Sequence, residues 1–405
     1  MYKDILDKAD AIFLANFLLG YFGSVQDAPA LMRLQKIEDL KLKKLWRDST
    51  SFSDDYKLTE EIDCTNPDFG VNVYAIGSAV DGRKKKPPHE VLCDLTSSHI
   101  NAGGWGCYDF LVTLTREHST CKFIEEPPKK EFVLGFIKLD AGVLNNAPLV
   151  RYLDIGKIDG NFANSTLLCA KTIVPTQPFG SLLRGGKLIA LLATSNELRN
   201  FYNKRFNRNI CVFYTTSLYG TSKTSSQYDQ LDKYIKEVGN TTGTFPLRIK
   251  DPHKRQIIEW LVDRGISRYE FVFNGTNKAD RSHKAITKFA RYCLWKYSRK
   301  DSNISNLLKK YDLEMNLWEN GKTEQKKTYV STYGFEDWME NQISPEIISM
   351  PQHNLENLFA YWKRKVFIKK DWGMRKRLRE IDPKVQLRYQ LINEQLKDKE
   401  FTQVR

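Results

Sequence analysis

The segment from Leu167 to Thr216 constrains the fold more than any other part of the chain. Leu167-Leu168-Cys169-Ala170-Lys171-Thr172-Ile173-Val174 is an apolar run stopped by Pro175, and it reads as a buried strand. A glycine-rich turn follows, Phe179-Gly180-Ser181-Leu182-Leu183-Arg184-Gly185-Gly186-Lys187. From Leu188 to Phe206 the pattern predicts one helix, apolar on most sides in its first half, as suits a helix lying deep against a sheet. Asn209 to Thr216 is a second strand. Strand, crossover helix and strand in this order predict a parallel pair with a right-handed connection.

The rest of the chain is built around that unit. Residues 1–60 read as helical: Leu6, Ala9, Phe13 and Phe17 recur at spacings of three and four, and Leu31, Leu34, Ile37, Leu40 and Leu45 continue similarly. Val71–Ile76, Phe110–Leu114 and Glu131–Leu139 read as strands, separated by the loop Gly82–Pro88 and the break Glu125–Lys130. Beyond 250 the chain reads as helical and basic. A helix near 282–299 carries Ile286, Phe289, Cys293 and Tyr297 as its apolar stripe, with Arg281, Lys284, Lys288 and Arg291 on a second stripe. Residues 354–380 hold Leu355, Leu358, Trp362 and Val366 on one side, while Lys363, Arg364, Lys365, Lys369 and Lys370 crowd the other. Pro383 interrupts, and a final helix is expected to run to Phe401. The expected class is α/β (α+β), a central mixed sheet with flanking helices. Its segments are a helical N-terminal 1–60, an α/β core 61–250 and a basic, mainly helical region 251–405.

Charge narrows the partner. Sixty-three basic residues face 49 acidic ones, a formal net charge of +14. Such an excess favours a polyanion through screened attraction and counterion release. DNA is the expected partner and RNA the second candidate, with Lys284, Lys288, Arg291, Lys363, Arg364, Lys369 and Lys370 as the phosphate contacts. Tyr361, Trp362, Phe367 and Trp372 lie among these cations, where some could stack on bases and most are expected to pack inward. His283 on the basic helix reads as a surface residue. No window is long and apolar enough to span a bilayer, no lipidation motif is present, and the N-terminus lacks a secretory signal. Seven scattered cysteines suit reduced thiols, so a cytoplasmic protein without a membrane partner is expected. Only His118-x-x-Cys121 resembles a metal half-site, so no metal is expected.

Two constellations could carry chemistry. Arg184-Gly185-Gly186-Lys187 stands at a helix start, where glycines allow close approach and unpaired N–H groups with two cations suit an anion. The same glycines could serve only a tight turn and close helix–sheet packing. Thr215-Thr216-Ser217-Leu218-Tyr219-Gly220, followed by Ser225-Ser226-Gln227-Tyr228, sets hydroxyls at the carboxyl end of a strand, where ligands of open sheets gather. They could hold a base edge or phosphate, with a tyrosine passing a proton. Alternatively Ser225 or Ser226 simply caps a following helix. No Ser-His-Asp order, paired-carboxylate signature or nucleophile elbow is present.

Taken together, Phe179-Gly180-x-x-x-Arg184-Gly185-Gly186-Lys187 through Ser195, Thr215 through Gly220, Ser226-Gln227-Tyr228, Gly239-x-Thr241-Thr242-Gly243 and Asn274-Gly275 through His283-Lys284-Ala285 resemble a phage and bacterial family. That family is grouped with the DruA-type component of the Druantia anti-phage system. It is similar in turn to the GNAT acyltransferase superfamily, including the Mom-type phage enzymes that modify adenine in DNA. The resemblance implies a GNAT-like sheet in which the strand to Val174 is central and its splayed end accepts the pantetheine arm of an acyl-CoA. Arg184, Gly185, Gly186 and Lys187 would hold the donor pyrophosphate or a related anion. Thr216, Ser226 and Gln227 would bind substrate. Ser217, Tyr219 and Tyr228 would form the catalytic set, with Tyr219 near the usual acid position and no nucleophile assigned. The superfamily's Gln/Arg-x-x-Gly-x-Gly/Ala turn is matched by Gln177-Pro178-Phe179-Gly180-Ser181-Leu182 except at its last position, and the Arg184 turn departs from it. The implied function is transfer of a small acyl or related group to a nucleobase, adenine first, protecting DNA from nucleases. The alternatives are a non-catalytic nucleic-acid-binding defence or counter-defence factor on that scaffold, and an inhibitor with a protein partner.

Overall fold

The computed structural model describes residues 6–23, 32, 36, 69–78, 92, 93, 96, 108–116, 131–176, 180, 183–219, 225–245, 249, 253–268, 278–316, 324–340, 350–367 and 402–404. In chain order the regular elements are α1 (Lys8–Gly23), β1 (Phe69–Ser78), β2 (Tyr108–Arg116), β3 (Glu131–Ala141), α2 (Ala147–Tyr152), α3 (Gly160–Ser165), β4 (Leu167–Pro175), α4 (Gly185–Leu192), α5 (Asn196–Phe206), β5 (Val212–Ser217), β6 (Lys236–Phe245), α6 (His253–Val262), α7 (Lys278–Ser298), α8 (Ser302–Asn316), β7 (Glu324–Ser331), α9 (Leu355–Trp362) and β8 (Thr402–Gln403). The chain divides into two compact units. One joins Leu45–Thr242 to Lys326–Arg405 and holds the sheet; the other joins Met1–Lys44 to Gly243–Gln325 and is helical. These units cut across the segments 1–60, 61–250 and 251–405, because residues on both sides of the helical stretch enter one sheet.

Among the described residues that sheet has eight strands in the order β6-β7-β5-β4-β3-β2-β1-β8. The β1–β2, β2–β3, β3–β4, β5–β7 and β1–β8 ladders are antiparallel. β4 and β5 are parallel, with Leu167 opposite Val212 and Ala170 opposite Thr215, as strand–helix–strand order requires. β4 reads as continuously apolar because both its faces are covered. Leu168 and Ala170 join Leu188, Ile189, Leu191, Leu192, Leu358 and Trp362 of α4 and α9, while Leu167 and Cys169 join Leu149, Leu153 and Ala163 on the other side. The mixed α/β sheet with flanking helices matches the sequence reading, and β1, β2 and β3 contain the strands expected there.

Three local readings are corrected. The helix expected from Leu188 to Phe206 is two helices. The Thr194 hydroxyl donates to the Leu191 carbonyl, and Ser195 accepts from Leu198 N to cap a fresh start. The region beyond 250, read as helical, contributes β7, whose Thr328, Tyr329, Val330 and Ser331 are all buried between β5 and β6. A strand covered on both faces shows no alternation to find. The loop after β5 does not start a helix: Ser226 accepts from Tyr228 N within a turn, and β6 follows.

In the helical unit α1, α7 and α8 pack together. The buried face of α1 is Ala11, Leu14, Ala15, Leu18, Leu19 and Phe22. Of the expected face Leu6 is buried, whereas Ala9 and Phe13 are exposed and Phe17 is half-buried, which corrects the rest of it. α1 is apolar nearly all round, so periodicity alone cannot choose between faces. On α7, Ile286 and Cys293 are buried as expected, together with Ala290 and Leu294, whereas Phe289 and Tyr297 are half-buried. His283 is also buried, contrary to its surface reading: its Nδ1 accepts from Ile249 N at 3.4 Å and its ring meets Phe22 edge-on. The readings at Leu31–Leu45, Gly82–Pro88, His118, Cys121, Glu125–Lys130, Lys369, Lys370, Trp372 and the final helix lie outside the described residues.

Candidate functional site

The parallel ladder between β4 and β5 ends at Ala170 and Thr215. β4 carries an extra residue, Lys171, where Leu139 pairs with Ala170 and Lys138 with Thr172. Past this bulge β4 stays with β3, while β5 stays with β7 through Ser217. The two strands therefore part, and a fork opens between them. The Thr215 hydroxyl bridges its base by donating to the Ala170 carbonyl at 2.9 Å.

The turn after β5 fills that fork. Gln227 Nε2 donates to the Ile173 carbonyl at 2.8 Å, which supplies the partner that β5 no longer provides. The Tyr228 hydroxyl exchanges hydrogen bonds with Thr215 and Gln227, and its ring packs on Tyr329 at 4.8 Å between centroids. Burial pushes the Tyr228 phenol up, so it does not ionise near neutrality. Ser226 Oγ lies 3.5 Å from Ser217 Oγ, and the Ser217 hydroxyl in turn accepts from Tyr219 N. Asp229 ties the turn by accepting from Ser226 N and from the Tyr329 hydroxyl. Ser217, Tyr219, Ser226, Gln227 and Tyr228 are thus brought together, with Thr216 half-buried in the ladder beside them. Thr215, also singled out from the sequence, belongs to the same joint. Asp229 and Tyr329 belong to it too and were missed, because their roles depend on partners far away in sequence.

The Arg184 turn is closely packed. Arg184 is the residue before α4 and adopts a left-handed φ of 55°. A Cβ on Gly185 would lie 2.8 Å from the Gly180 carbonyl oxygen, and one on Gly186 would lie 2.9 Å from Gln227 Oε1. The glycines accordingly serve close packing. Lys187 donates its ammonium to the Asp229 carbonyl. Val174 is buried with Ile76, Leu111 and Phe136.

The predicted cations behave differently from one another. Lys284, Lys288 and Arg291 are exposed on α7, and Arg291 makes a bidentate pair with Asp312 at 2.7 and 3.1 Å. Trp295 and Arg299 continue the same exposed line, and the Arg299 guanidinium stacks 4.1 Å over the Trp295 ring. Both extensions follow from the spacing of four and were not singled out from sequence. At the end of α9, Lys363 lies over the Phe359 ring, Arg364 is exposed, and Trp362 is fully buried.

A second buried polar group was not anticipated. Arg199 on α5 is 2% exposed, its guanidinium sits 4.8 Å over Tyr333, and its Nε and Nη1 have no hydrogen-bond partner among the described residues. Burial lowers its pKa. Burial raises the Cys211 and Cys293 thiols to about 11, which leaves them protonated and poor nucleophiles. Among the described residues, no group of three or more His, Cys, Asp or Glu side chains is placed to hold a metal ion, and no helix is long and apolar enough to cross a membrane.

Comparison with known protein families, curated proteins and solved structures finds no match.

Proposed function

We propose that this protein binds nucleic acid, DNA first, through the exposed face of α7, and that it acts as a binding factor rather than as a group-transfer enzyme. One observation carries the reading. Lys284, Lys288, Arg291, Trp295 and Arg299 recur at spacings of four, three, four and four, and all are exposed. The line from Lys284 to Arg299 is about 22 Å long at about 1.5 Å per residue. From Arg281 to Lys300 the sequence contains no acidic residue. A row of cations can follow a phosphate backbone, and an exposed indole within the row can stack on an unpaired base. Arg291 is already paired with Asp312, so Lys284, Lys288 and Arg299 are the principal phosphate contacts.

Transfer of an acyl group from a coenzyme A donor to a base is the second reading, with a GNAT-like scaffold as part of it. Its support is the parting of β4 and β5 at Lys171. Against it stands the filling of that fork: a pantetheine arm would have to displace Gln227 from the Ile173 carbonyl and expose Tyr228. Leaving a buried carbonyl unpaired costs about 1–3 kcal/mol.

The test is binding of labelled duplex and single-stranded DNA between about 50 and about 200 mM salt. The affinity should fall steeply with salt. The combined variant Lys284→Gln, Lys288→Gln, Arg299→Gln should weaken binding at every sequence and flatten the salt slope by about 3 on duplex DNA. Salt-indifferent binding, or an unchanged slope in the variant, refutes the reading. Modified nucleosides in DNA from cells expressing the protein would instead favour group transfer.

A further inference from the structure

A depression of about 430 Å³ opens in the sheet unit between the turn before β6 and α9. We infer that it is a nucleotide site, built to take one nucleoside monophosphate. Two cations from separate segments face it, Lys233 from the turn and Arg364 just past α9, and among the described residues none that lines it is acidic. Two cations around one opening suit a phosphate dianion, and arginine can grip it through two parallel hydrogen bonds.

Between them stands an aromatic pair. Tyr234 and Tyr361 meet edge to face, with centroids 4.8 Å apart. Tyr234 is 6% exposed and braced by His353, so its position is held by the core. Tyr361 is half-buried and offers the accessible ring on which a base could stack. Two amides complete the lining, Gln352 and Asn357. Asn357 donates from Nδ2 to the Pro351 carbonyl at 2.7 Å, which orients its amide and leaves Oδ1 as an acceptor for a base N–H.

The volume lies within the range of small-ligand pockets and is suited to one nucleotide rather than a length of chain. Among the described residues that line it, Ala360 alone is aliphatic. Polar and apolar atoms share the lining about equally, so a base could meet the tyrosine ring while a phosphate met the two cations.

Calorimetric titration of the full chain with AMP, adenosine and inorganic phosphate tests the site. AMP should bind saturably, and adenosine and phosphate should each bind on the order of tenfold weaker or worse, since each lacks one half of the contacts. Arg364→Gln and Lys233→Gln should each weaken AMP by a similar factor. Lys284→Gln with Lys288→Gln should leave AMP affinity unchanged, which separates this site from the α7 face. The inference is overturned if AMP does not bind, if phosphate alone binds as tightly, if neither Arg364→Gln nor Lys233→Gln weakens AMP, or if the α7 variant abolishes its binding.

Discussion

Acidification should unfold the sheet unit partly through one side chain, His353. The imidazole is 1% exposed, packed edge-on against Tyr234 and Tyr333, with Nδ1 at 3.1 Å from the Thr194 carbonyl. Burial, with the like charges of Arg199 and Lys233 nearby, depresses its pKa to about 4, although the bond to Thr194 acts the other way. In the unfolded chain the group titrates near about 6.5. The unfolded state therefore takes up a proton from pH 6.5 downward, while the native state resists until about 4. Stability is intact above pH 6.5 and falls as pH drops through this window. The full gap corresponds to about 3.4 kcal/mol, of which about 2 kcal/mol is lost by pH 5. That is a large share of the roughly 5–15 kcal/mol that holds a domain together. Carboxylates titrate in the same window, so the measurement must be differential. His353→Asn keeps a donor at the δ position and removes the titration. Urea unfolding of both proteins at several pH values from 7 to 4.5 should show a constant offset near neutrality. Below that, the wild-type curve should fall more steeply, by about 2 kcal/mol at pH 5. Parallel curves would refute the assignment of a buried neutral imidazole.

Two further substitutions examine the joints on either side of α4. Gln227→Ala should cost about 1–3 kcal/mol in urea unfolding, because it strips the partner from the Ile173 carbonyl inside the fork; an effect near zero would mean that the fork is open to water. Ser195→Ala should cost about 1 kcal/mol by removing the cap on Leu198 N at the start of α5, and unchanged stability would mean that the break between α4 and α5 is held by packing alone.

What could be read from the chain alone was local in origin. The apolar run ending at Pro175, the glycine turn and the following strand announce the parallel pair of β4 and β5, because covering both faces and the handedness of the crossover leave few arrangements. The spacing of Lys284, Lys288 and Arg291 announces an exposed basic face, since helix geometry places such residues in line. Tertiary structure decided the rest, through partners that no local pattern specifies. β7 is a strand because Val330 meets Tyr214, more than a hundred residues earlier. Gln227 fills the fork because the carbonyl of Ile173, 54 residues away, needs a donor there. Asp312, 21 residues beyond Arg291, takes one cation out of the basic face. The nucleotide-sized depression joins Lys233 to Arg364 only because α9 returns to the sheet. Periodicity reports which face of an element is apolar. It is silent on which distant group satisfies a buried polar atom, and the candidate sites of this protein are made of those pairings.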